Sequence, residues 1–345
     1  MGELTAMVLC AGLGTRLRPL TDRVPKPAVP LCDVPLVAWT FALVRGAGVR
    51  RVVVNTHHLP QEMASAASAA ARRLGLSLAV SHEPVIAGTG GALREARGLL
   101  ANADPLVVVN GDVLFDVDLP AAIAAHRASG ALATMVLLPM PAGARYAAVE
   151  VDAGGAVRRI AGAFGPGGEG LTPWHFSGVH VLSSELLARV PAAPFEADVN
   201  RHVYPALMET GRIRGHVATG YWNDLGTPAR YLEAQRDLLA GRVPLARFAG
   251  AEPLSAAREV GPGVRAEPGA AVAPDAVVHG PCYLGAGARV AAGADVGPEA
   301  VIGAGVLVPA GAIVRRAAVW PGTSVEPGEA IENAVAAGKE RVGAA

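Results

Sequence analysis

Apolar side chains recur every six residues through the last quarter of the chain, and this period restricts the possible fold more than any other feature. The recurring residues are Val260, Ala266, Val272, Val278, Leu284, Val290, Val296, Ile302, Val308, Val314 and Trp320. Small residues, mostly alanine, stand four places after each of the first ten. A six-residue unit can bury its apolar positions only when successive turns of chain stack on one another. We therefore predict a parallel β-helix over residues 260–333.

The unbroken period argues against a disordered tail, which is the alternative for a segment so rich in glycine, alanine and proline. The pattern resembles the left-handed β-helix of hexapeptide-repeat proteins. Residues 241–259 are predicted to form a linker before it, and residues 334–345 a tail after it. We interpret the repeat as an assembly module, so that the protein is expected to form a homo-oligomer.

The first 240 residues alternate strand-like runs with helical patterns. Strands are predicted at residues 4–10, 51–55, 76–81 and 106–110, with helices at 34–46, 61–74 and 91–99 between them. This alternation predicts an α/β domain with a Rossmann-like, mixed but mostly parallel sheet. Because ligands of such sheets bind beyond the carboxyl ends of the strands, the loops after these strands are candidate site loops.

The loop after the first strand combines glycines with two cations. Gly12 and Gly14 are followed by Thr15 and Arg16, and Lys26 stands between two prolines. Glycine lets backbone N–H groups turn toward an anion, and the two cations add fixed positive charge. The loop is not a Walker A motif, and a leucine stands where a dinucleotide fingerprint has its third glycine. The segment therefore suits the triphosphate of a nucleotide.

Charge and cysteine content exclude several classes of protein. The 345 residues carry 30 basic and 30 acidic side chains, so no dedicated nucleic-acid or anionic-membrane surface is expected. No run of 18 apolar residues and no signal segment is seen. Three scattered cysteines are too few for a disulfide framework or a zinc site. We expect a cytoplasmic protein without nucleic-acid or membrane partners.

Two aspartates suit a magnesium ion. Asp112 follows the strand predicted at 106–110, and Asp224 precedes a helix predicted at 228–239. Magnesium prefers one or two carboxylates together with phosphate oxygens and water. Each aspartate taken alone could equally cap a turn or a helix. Together with the glycine loop, the pair is predicted to bind Mg²⁺.

These motifs together resemble the signature of the sugar-1-phosphate nucleotidyltransferases, the NDP-sugar pyrophosphorylases, and the resemblance covers nearly the whole chain. It implies that a sugar-1-phosphate oxygen attacks the α-phosphorus of a nucleoside triphosphate and that pyrophosphate leaves. The site residues that follow are Arg16 and Lys26 for catalysis; Ala11, Gly12, Gly14, Thr15, Gly88, Thr89 and Gly111 for the nucleotide; His175, Ser177 and Gly178 for the sugar; and Asp112 and Asp224 for Mg²⁺.

Two departures from the family pattern leave the substrates open. Many members carry a Glu-Lys-Pro whose lysine contacts the sugar phosphate, but the corresponding stretch from Arg158 to Phe164 has none, leaving Arg158 or Arg159 as substitutes. The loop from Glu83 to Ala87 lacks a glutamine that some uridylyl- and thymidylyl-transferring relatives use. GTP with mannose-1-phosphate is the favoured pair. UTP with N-acetylmuramate-1-phosphate or glucose-1-phosphate is the alternative.

Two other functions compete with this one. A non-catalytic regulatory subunit that binds sugar nucleotides would share the fold, but loss of the signature arginine or lysine would mark it, and Arg16 and Lys26 are both present. A hexapeptide acyltransferase would instead place its active site in the β-helix. The repeat is short, however, with His279 as its one histidine and no inserted loop to cover an acyl carrier.

Overall fold

The chain divides into two compact units. The computed structural model describes residues 2–141, 143, 146–192, 195–251 and 257–344. The first unit comprises Met1–Gly12 and Thr40–Trp222, and the second comprises Leu13–Trp39 and Asn223–Ala345. This division places the segment that carries Arg16 and Lys26 with the C-terminal part of the chain, whereas the sequence predicts a cut near residue 240.

The elements up to residue 251 alternate as an α/β chain should. The helices are α1 (Leu36–Gly46), α2 (Pro60–Leu74), α3 (Gly88–Glu95), α4 (Leu119–Ser129), α5 (Ser184–Ala188), α6 (Val199–His202), α7 (Tyr204–Glu209) and α8 (Pro228–Leu239). The strands are β1 (Glu3–Leu9), β2 (Pro30–Leu31), β3 (Val34–Pro35), β4 (Arg51–Thr56), β5 (Ser77–His82), β6 (Ala103–Asn110), β7 (Leu114–Phe115), β8 (Ala133–Leu138), β9 (Ala148–Val151), β10 (Val157–Ile160), β11 (Thr172–Leu182), β12 (Ile213–Val217) and β13 (Trp222–Asn223). Short 3-10 helices cover Thr15–Leu17, Leu20–Asp22, Lys26–Ala28 and Leu245–Phe248. Among the described residues, no helix is both long and apolar enough to cross a membrane.

The first unit is built on a nine-stranded mixed sheet of Rossmann type. Its order is β10-β9-β11-β6-β1-β4-β5, and β8 pairs with both β11 and β12. The strands from β6 to β5 run parallel, whereas β11 is antiparallel to β6, β8 and β9. The parallel half therefore presents the carboxyl ends of β6, β1, β4 and β5 at one edge, which is where ligands of such sheets bind.

Helix α2 shows how the sequence covers this sheet. Met63, Ala67, Ala70 and Leu74 are spaced three or four residues apart and are buried on one face. That face packs against β4 and β5. The helix ends at Gly75, whose φ of 65° gives the left-handed cap that glycine adopts without strain.

The C-terminal strand region (residues 258–343) belongs to the second unit and forms sheets whose strand pairs are mostly parallel. Its strands are β14 (Arg258–Gly261), β15 (Val264–Ala266), β16 (Ala271–Val272), β17 (Val277–Val278), β18 (Cys282–Leu284), β19 (Arg289–Val290), β20 (Asp295–Val296), β21 (Ala300–Ile302), β22 (Leu307–Val308), β23 (Ile313–Arg315), β24 (Ala318–Val319), β25 (Ala330–Glu332), β26 (Ala334–Ala337) and β27 (Glu340–Gly343). Val264 pairs with Cys282, and Val277 pairs with Asp295. Each of these parallel steps spans three six-residue units of the sequence repeat.

Two features of this region differ from the expectation. Leu284 through Val314 are buried at the period-six positions, but Val260 and Val272 are 58% and 40% exposed, because the first turn of chain has a neighbour on one side only. The stretch predicted as a tail contains β26 and β27, which pair antiparallel, and β26 also pairs with β24. Regular pairing therefore extends to Gly343.

Candidate active site

Three loops of the first unit meet at the edge where the parallel strands end. Leu9 aligns with Asn55 of β4 and with Asn110 of β6. The residues that follow these strand ends include the predicted nucleotide ligands Ala11 and Gly12. The register therefore places the loop after β1 between the loops after β4 and β6.

Gly111 and Asp112 lie close to the loop after β1. A Cβ on Gly111 would stand 2.6 Å from Sγ of Cys10, so only glycine permits this approach. The Gly111 N–H donates to the Leu9 carbonyl at 2.9 Å. Burial, and then the nearby Asp112 carboxylate, raise the pKa of the Cys10 thiol far above its usual range. The first unit thus brings Gly111 and Asp112 together with the loop that holds Ala11 and Gly12.

The predicted second nucleotide loop begins helix α3. Gly88 is the first residue of that helix, and the next residue, Thr89, is half-buried. The Thr89 hydroxyl donates to Asp198 at 3.3 Å and accepts from the Val199 N–H at 3.1 Å. This side chain is therefore engaged in the start of α6, which leaves the backbone of Thr89 as the part that can serve a ligand.

A buried hydrogen-bond chain, which the sequence did not predict, connects the two loops predicted to bind the nucleotide. Asn55 Oδ1 accepts from the Cys10 N–H at 2.7 Å, and Asn55 Nδ2 donates to Glu83 Oε1 at 2.8 Å. Glu83 Oε2 accepts from the Ala87 N–H at 3.0 Å. The signal in the sequence is a polar residue at the end of each apolar strand, Asn55 after β4's valines and Glu83 after β5.

The predicted sugar residues lie on β11. His175 packs against the rings of Tyr146 and Trp222, with centroids 4.6 and 4.2 Å away. It borders a recess of about 390 Å³ that is also lined by Trp222 and by apolar residues after β8. The Ser177 hydroxyl is fully buried and donates to the Val136 carbonyl at 2.8 Å. Gly178 lies against the side chain of Asn110.

The second unit gathers the remaining predicted residues around Asp224. The buried Lys26 ammonium donates to the Asp224 carbonyl at 2.7 Å. Arg16 Nη1 lies 3.7 Å from Asp224 Oδ2, and Arg230 Nε lies 3.4 Å from Oδ1. The Arg16 side chain is 66% exposed, and a pair this open contributes at most about 1 kcal/mol. Arg16 can therefore leave Asp224 for a bound anion at little cost.

Local sequence explains why Asp224 is held in this place. The Asn223 side chain accepts from the Leu225 N–H at 2.9 Å, which fixes the turn. Thr227 then caps α8 by accepting from the Arg230 N–H at 3.3 Å. A Cβ on Gly226 would lie 2.6 Å from Arg16 Nη1, so the glycine leaves room for this guanidinium. On the loop side, the Thr21 hydroxyl donates to the Gly14 carbonyl at 2.8 Å, next to Thr15.

The segment that follows Lys26 is tied to α8 and to the C-terminal strand region. Gln235 donates to the Pro30 carbonyl at 3.1 Å and accepts from the Cys32 N–H at 3.0 Å. The Tyr231 hydroxyl also donates to Pro30, and Trp320 Nε1 donates to that hydroxyl at 2.8 Å. No sequence pattern signals these contacts, because their partners are far apart along the chain.

Asp33, at the β2–β3 turn, is a half-buried acid that faces the C-terminal strand region. Its carboxylate accepts from the Ala304 N–H and lies against Gly285, both in the C-terminal strand region. Burial raises the pKa of Asp33 to about 7, with Glu267 adding to the rise and the Ala304 N–H opposing it.

The arginines considered as substitutes for the family lysine are already paired. Arg158 Nε lies 2.7 Å from Asp152, and Arg159 pairs with Glu150. Nothing in these contacts directs either guanidinium toward a sugar phosphate. Among the described residues, no three or more His, Cys, Asp or Glu side chains cluster as a ready metal site.

Comparison with known families identifies the class. The family model described as nucleotidyl transferase matches residues 5–241, and the chain belongs to this family. The match ends before the C-terminal strand region.

Two relatives are guanylyltransferases. The chain is 32% identical over 244 residues to mannose-1-phosphate guanylyltransferase of Mycobacterium tuberculosis, which covers 70% of this chain and 66% of the relative. It is 30% identical over 237 residues to mannose-1-phosphate guanylyltransferase catalytic subunit beta of Xenopus tropicalis, covering 66% and 63%. The match thus spans just under two thirds of the length of these relatives.

A third relative transfers a different nucleotide. The UTP–glucose-1-phosphate uridylyltransferase of Synechocystis sp. is 30% identical over 262 residues, covering 72% of this chain and 67% of the relative. At this identity, the relatives agree on the class of reaction and differ in both base and sugar.

Proposed function

We propose that this chain transfers a nucleotidyl group from a nucleoside triphosphate to a sugar-1-phosphate, with GTP and mannose-1-phosphate as its substrates. The observation that carries the proposal is the arrangement around Asp224, where a buried Lys26 and an exposed Arg16 both contact the same residue. A compact ammonium and an exposed guanidinium suit the oxygens of a triphosphate. The guanylyltransferases among the relatives favour this base and sugar.

In the proposed reaction, an oxygen of the sugar phosphate attacks the α-phosphorus of the nucleotide. The bond from that phosphorus to the bridging oxygen of the β-phosphate breaks, and pyrophosphate leaves. The attacking oxygen is already an anion, so no general base is needed. Catalysis then rests on alignment and on neutralising charge. Lys26 donates to the α-phosphate and the incoming sugar phosphate, and Arg16 to the departing pyrophosphate.

We assign Mg²⁺ to Asp112 and Asp224, whose carboxylate oxygens are ligands that this ion prefers. The contacts of the Asp224 carboxylate are long: 3.2 Å from the Gly226 N–H, 3.4 Å from Arg230 and 3.7 Å from Arg16. Such contacts are weak enough for an ion to replace. When bound, the ion would withdraw negative charge from phosphate oxygens.

The loop residues are assigned by their backbone. We propose that the nucleotide binds to N–H groups of the glycine loops, and that the sugar lies beside His175. Ser177 would contribute through its backbone, because its hydroxyl is committed to Val136. The residues assigned to the nucleotide are Ala11, Gly12, Gly14, Thr15, Gly88, Thr89 and Gly111, and Gly178 is assigned to the sugar with His175.

We propose that the C-terminal strand region is a left-handed β-helix that assembles the chain into a homo-oligomer. Its parallel register, which is 18 residues in the earlier turns and 17 in the last ones, with one strand per turn in each of three sheets, supports this proposal. Analytical ultracentrifugation of the full chain tests the assembly, and a monomer at micromolar concentration would contradict it.

Transfer from UTP is the second candidate function, because a uridylyltransferase stands among the relatives at similar identity. Pyrophosphate release should be measured with Mg²⁺ across four nucleotides and several sugar-1-phosphates. Release with GTP and mannose-1-phosphate alone is the expected result. Release that depends on UTP would select the second candidate. A folded protein that is silent across the grid would overturn both in favour of a non-catalytic regulatory subunit.

A further inference from the structure

Two polar side chains lie inside the first unit between the two glycine loops. Asn55 and Glu83 are 3% and 2% exposed, and Cys10 beside them is 1% exposed. Burying a carboxylate and an amide is costly unless each finds hydrogen-bond partners. Both oxygens of Glu83 and both polar atoms of Asn55 do so.

The hydrogen-bond partners of Asn55 and Glu83 indicate what the pair does. At one end, Asn55 holds the N–H of Cys10, the residue just before Ala11 and Gly12. At the other end, Glu83 holds the N–H of Ala87, the residue just before Gly88. The pair therefore holds the backbone just before Ala11 and just before Gly88, and the side chains of the pair make no other hydrogen bond among the described residues.

The base of the Glu83 turn is fixed separately. The Glu83 N–H donates to the Thr56 carbonyl at 2.8 Å, and the Glu83 carbonyl lies 2.8 Å from His57 Nδ1. The backbone of Glu83 is thus held by β4 and the residue after it without the carboxylate. Strand pairing accordingly does not need the Asn55–Glu83 contact. The contacts of the two side chains with the loops are therefore what account for their burial.

We infer that Asn55 and Glu83 are positioning residues that hold the loop after β1 and the loop before α3 in one arrangement, so that both bind the same nucleotide. The inference rests on the proposed function, and it adds the pair that sets the two loops relative to each other. A buried chain of hydrogen bonds couples its two ends, because each bond fixes the direction of the next. Displacing either loop therefore displaces the other.

Exchanging the amide and the carboxylate between the two positions tests the coupling. In Asn55→Asp, two buried carboxylates face each other. In Glu83→Gln, one amide cannot accept from both Asn55 and the Ala87 N–H. In the double variant, the carboxylate now at position 55 would accept from the Cys10 N–H and from the amide now at position 83, whose oxygen would accept from the Ala87 N–H. Every donor then has its acceptor, and the negative charge is kept.

Steady-state kinetics should show this pattern. Each single variant is expected to raise KM for the nucleotide about tenfold, which corresponds to the loss of one hydrogen bond to a charged group. The change in KM for the sugar-1-phosphate should be smaller. The double variant should return to within about threefold of the wild type. Additive losses in the double variant would overturn the inference.

Thr134→Val is the matched control. It removes the 2.9 Å hydrogen bond between His126 and Thr134, which is equally buried in the first unit but lies on α4 and β8. We expect a lower melting temperature with an unchanged nucleotide KM. If this control raised KM as much as Glu83→Gln does, the pair would be a general structural contact and the inference would fail.

Amide hydrogen exchange in the nucleotide-free protein decides the coupling without any activity. Glu83→Gln should speed exchange at Cys10 as well as at Ala87, and the double variant should slow both again. Faster exchange at Ala87 alone would mean two independent bonds and would overturn the inference. If no substrate pair released pyrophosphate, the proposed function would fail, yet this measurement would still decide whether the loops are coupled.

Discussion

The two units place their candidate site residues by different means. In the first unit, Gly111 and Asp112 stand where they do because β1 and β6 pair in register. In the second unit, Lys26 contacts a residue 198 positions away, and the turn at Asp33 contacts the C-terminal strand region. One set of residues is placed by backbone pairing and the other by particular side chains. We therefore expect the second set to be the more sensitive to single substitutions.

The largest expected effect is on Lys26. Lys26→Met keeps the length of this buried side chain but removes the ammonium, and we expect kcat to fall about 100-fold, as loss of one transition-state donor typically does. Arg23→Met, which removes an exposed cation from the same segment, is the control, and its kcat should stay near the wild-type value. Normal pyrophosphate release by Lys26→Met, and also by Arg16→Ala, would remove both residues from the proposed mechanism.

Gly226→Ala should have the next largest effect. Its new Cβ would meet Arg16 Nη1 at 2.6 Å, so the flexible guanidinium must move. We expect kcat to fall about tenfold with little change in melting temperature, because the displaced side chain is mostly exposed. Gly98→Ala in the first unit, where a Cβ would meet nothing within 4 Å, is the matched glycine control. Unchanged turnover in Gly226→Ala would show that the position of Arg16 does not matter.

Asp33 gives the second unit a pH dependence opposite in sign to that of the buried His180 in the first unit, whose pKa burial lowers to about 3. The folded-state pKa of Asp33 is raised to about 7, above the usual value near 4, so the ionised form is the one that folding disfavours. The contribution of Asp33 to the free energy of unfolding is therefore smallest above pH 7, and this contribution should fall as pH rises from about 4 to 7.

Asparagine keeps an acceptor for the Ala304 N–H and tolerates the φ of 66° at this position. Asp33→Asn should accordingly melt several degrees higher than the wild type at pH 8 and lose this part of the pH slope. Thermal melts of both proteins between about pH 3.5 and 8 bracket the two pKa values and provide the check. Parallel curves for the two proteins would mean that Asp33 does not ionise across this range.

The smallest effect is expected at Trp320. Trp320→Phe removes the donor to the Tyr231 hydroxyl and should cost about 1 kcal/mol of unfolding free energy. Trp174→Phe in the first unit removes an indole N–H that has no hydrogen-bond partner among the described residues, so it should cost less. Equal losses in denaturant melts would mean that the tie from the C-terminal strand region to the Lys26 segment carries no stability.

Much of the fold could be predicted because it follows from local patterns. The helix predicted at 228–239 is observed as Pro228–Leu239, since Thr227 and Pro228 mark its start. The strand predicted at 106–110 begins earlier, at Ala103. The site roles of Arg16, Lys26 and Asp224 stay predictions, although the structure brings these three residues together. The contacts of Asn55, Glu83 and Asp33 could not be predicted, because a single polar residue beside an apolar run says nothing about its partner.

Three sequence periods can be read from the amino-acid order alone. Positions on one face recur every two residues in the strands, every three to four residues in the helices, and every six residues in the C-terminal strand region. The residues at the strand ends can be read in the same way, because parallel strands align their carboxyl ends along one edge. The grouping of the Lys26 segment with the C-terminal strand region, and the meeting of Asn55 with Glu83, became visible only in the folded chain. Those contacts depend on side chains that come together from distant parts of the sequence, and no local period records them.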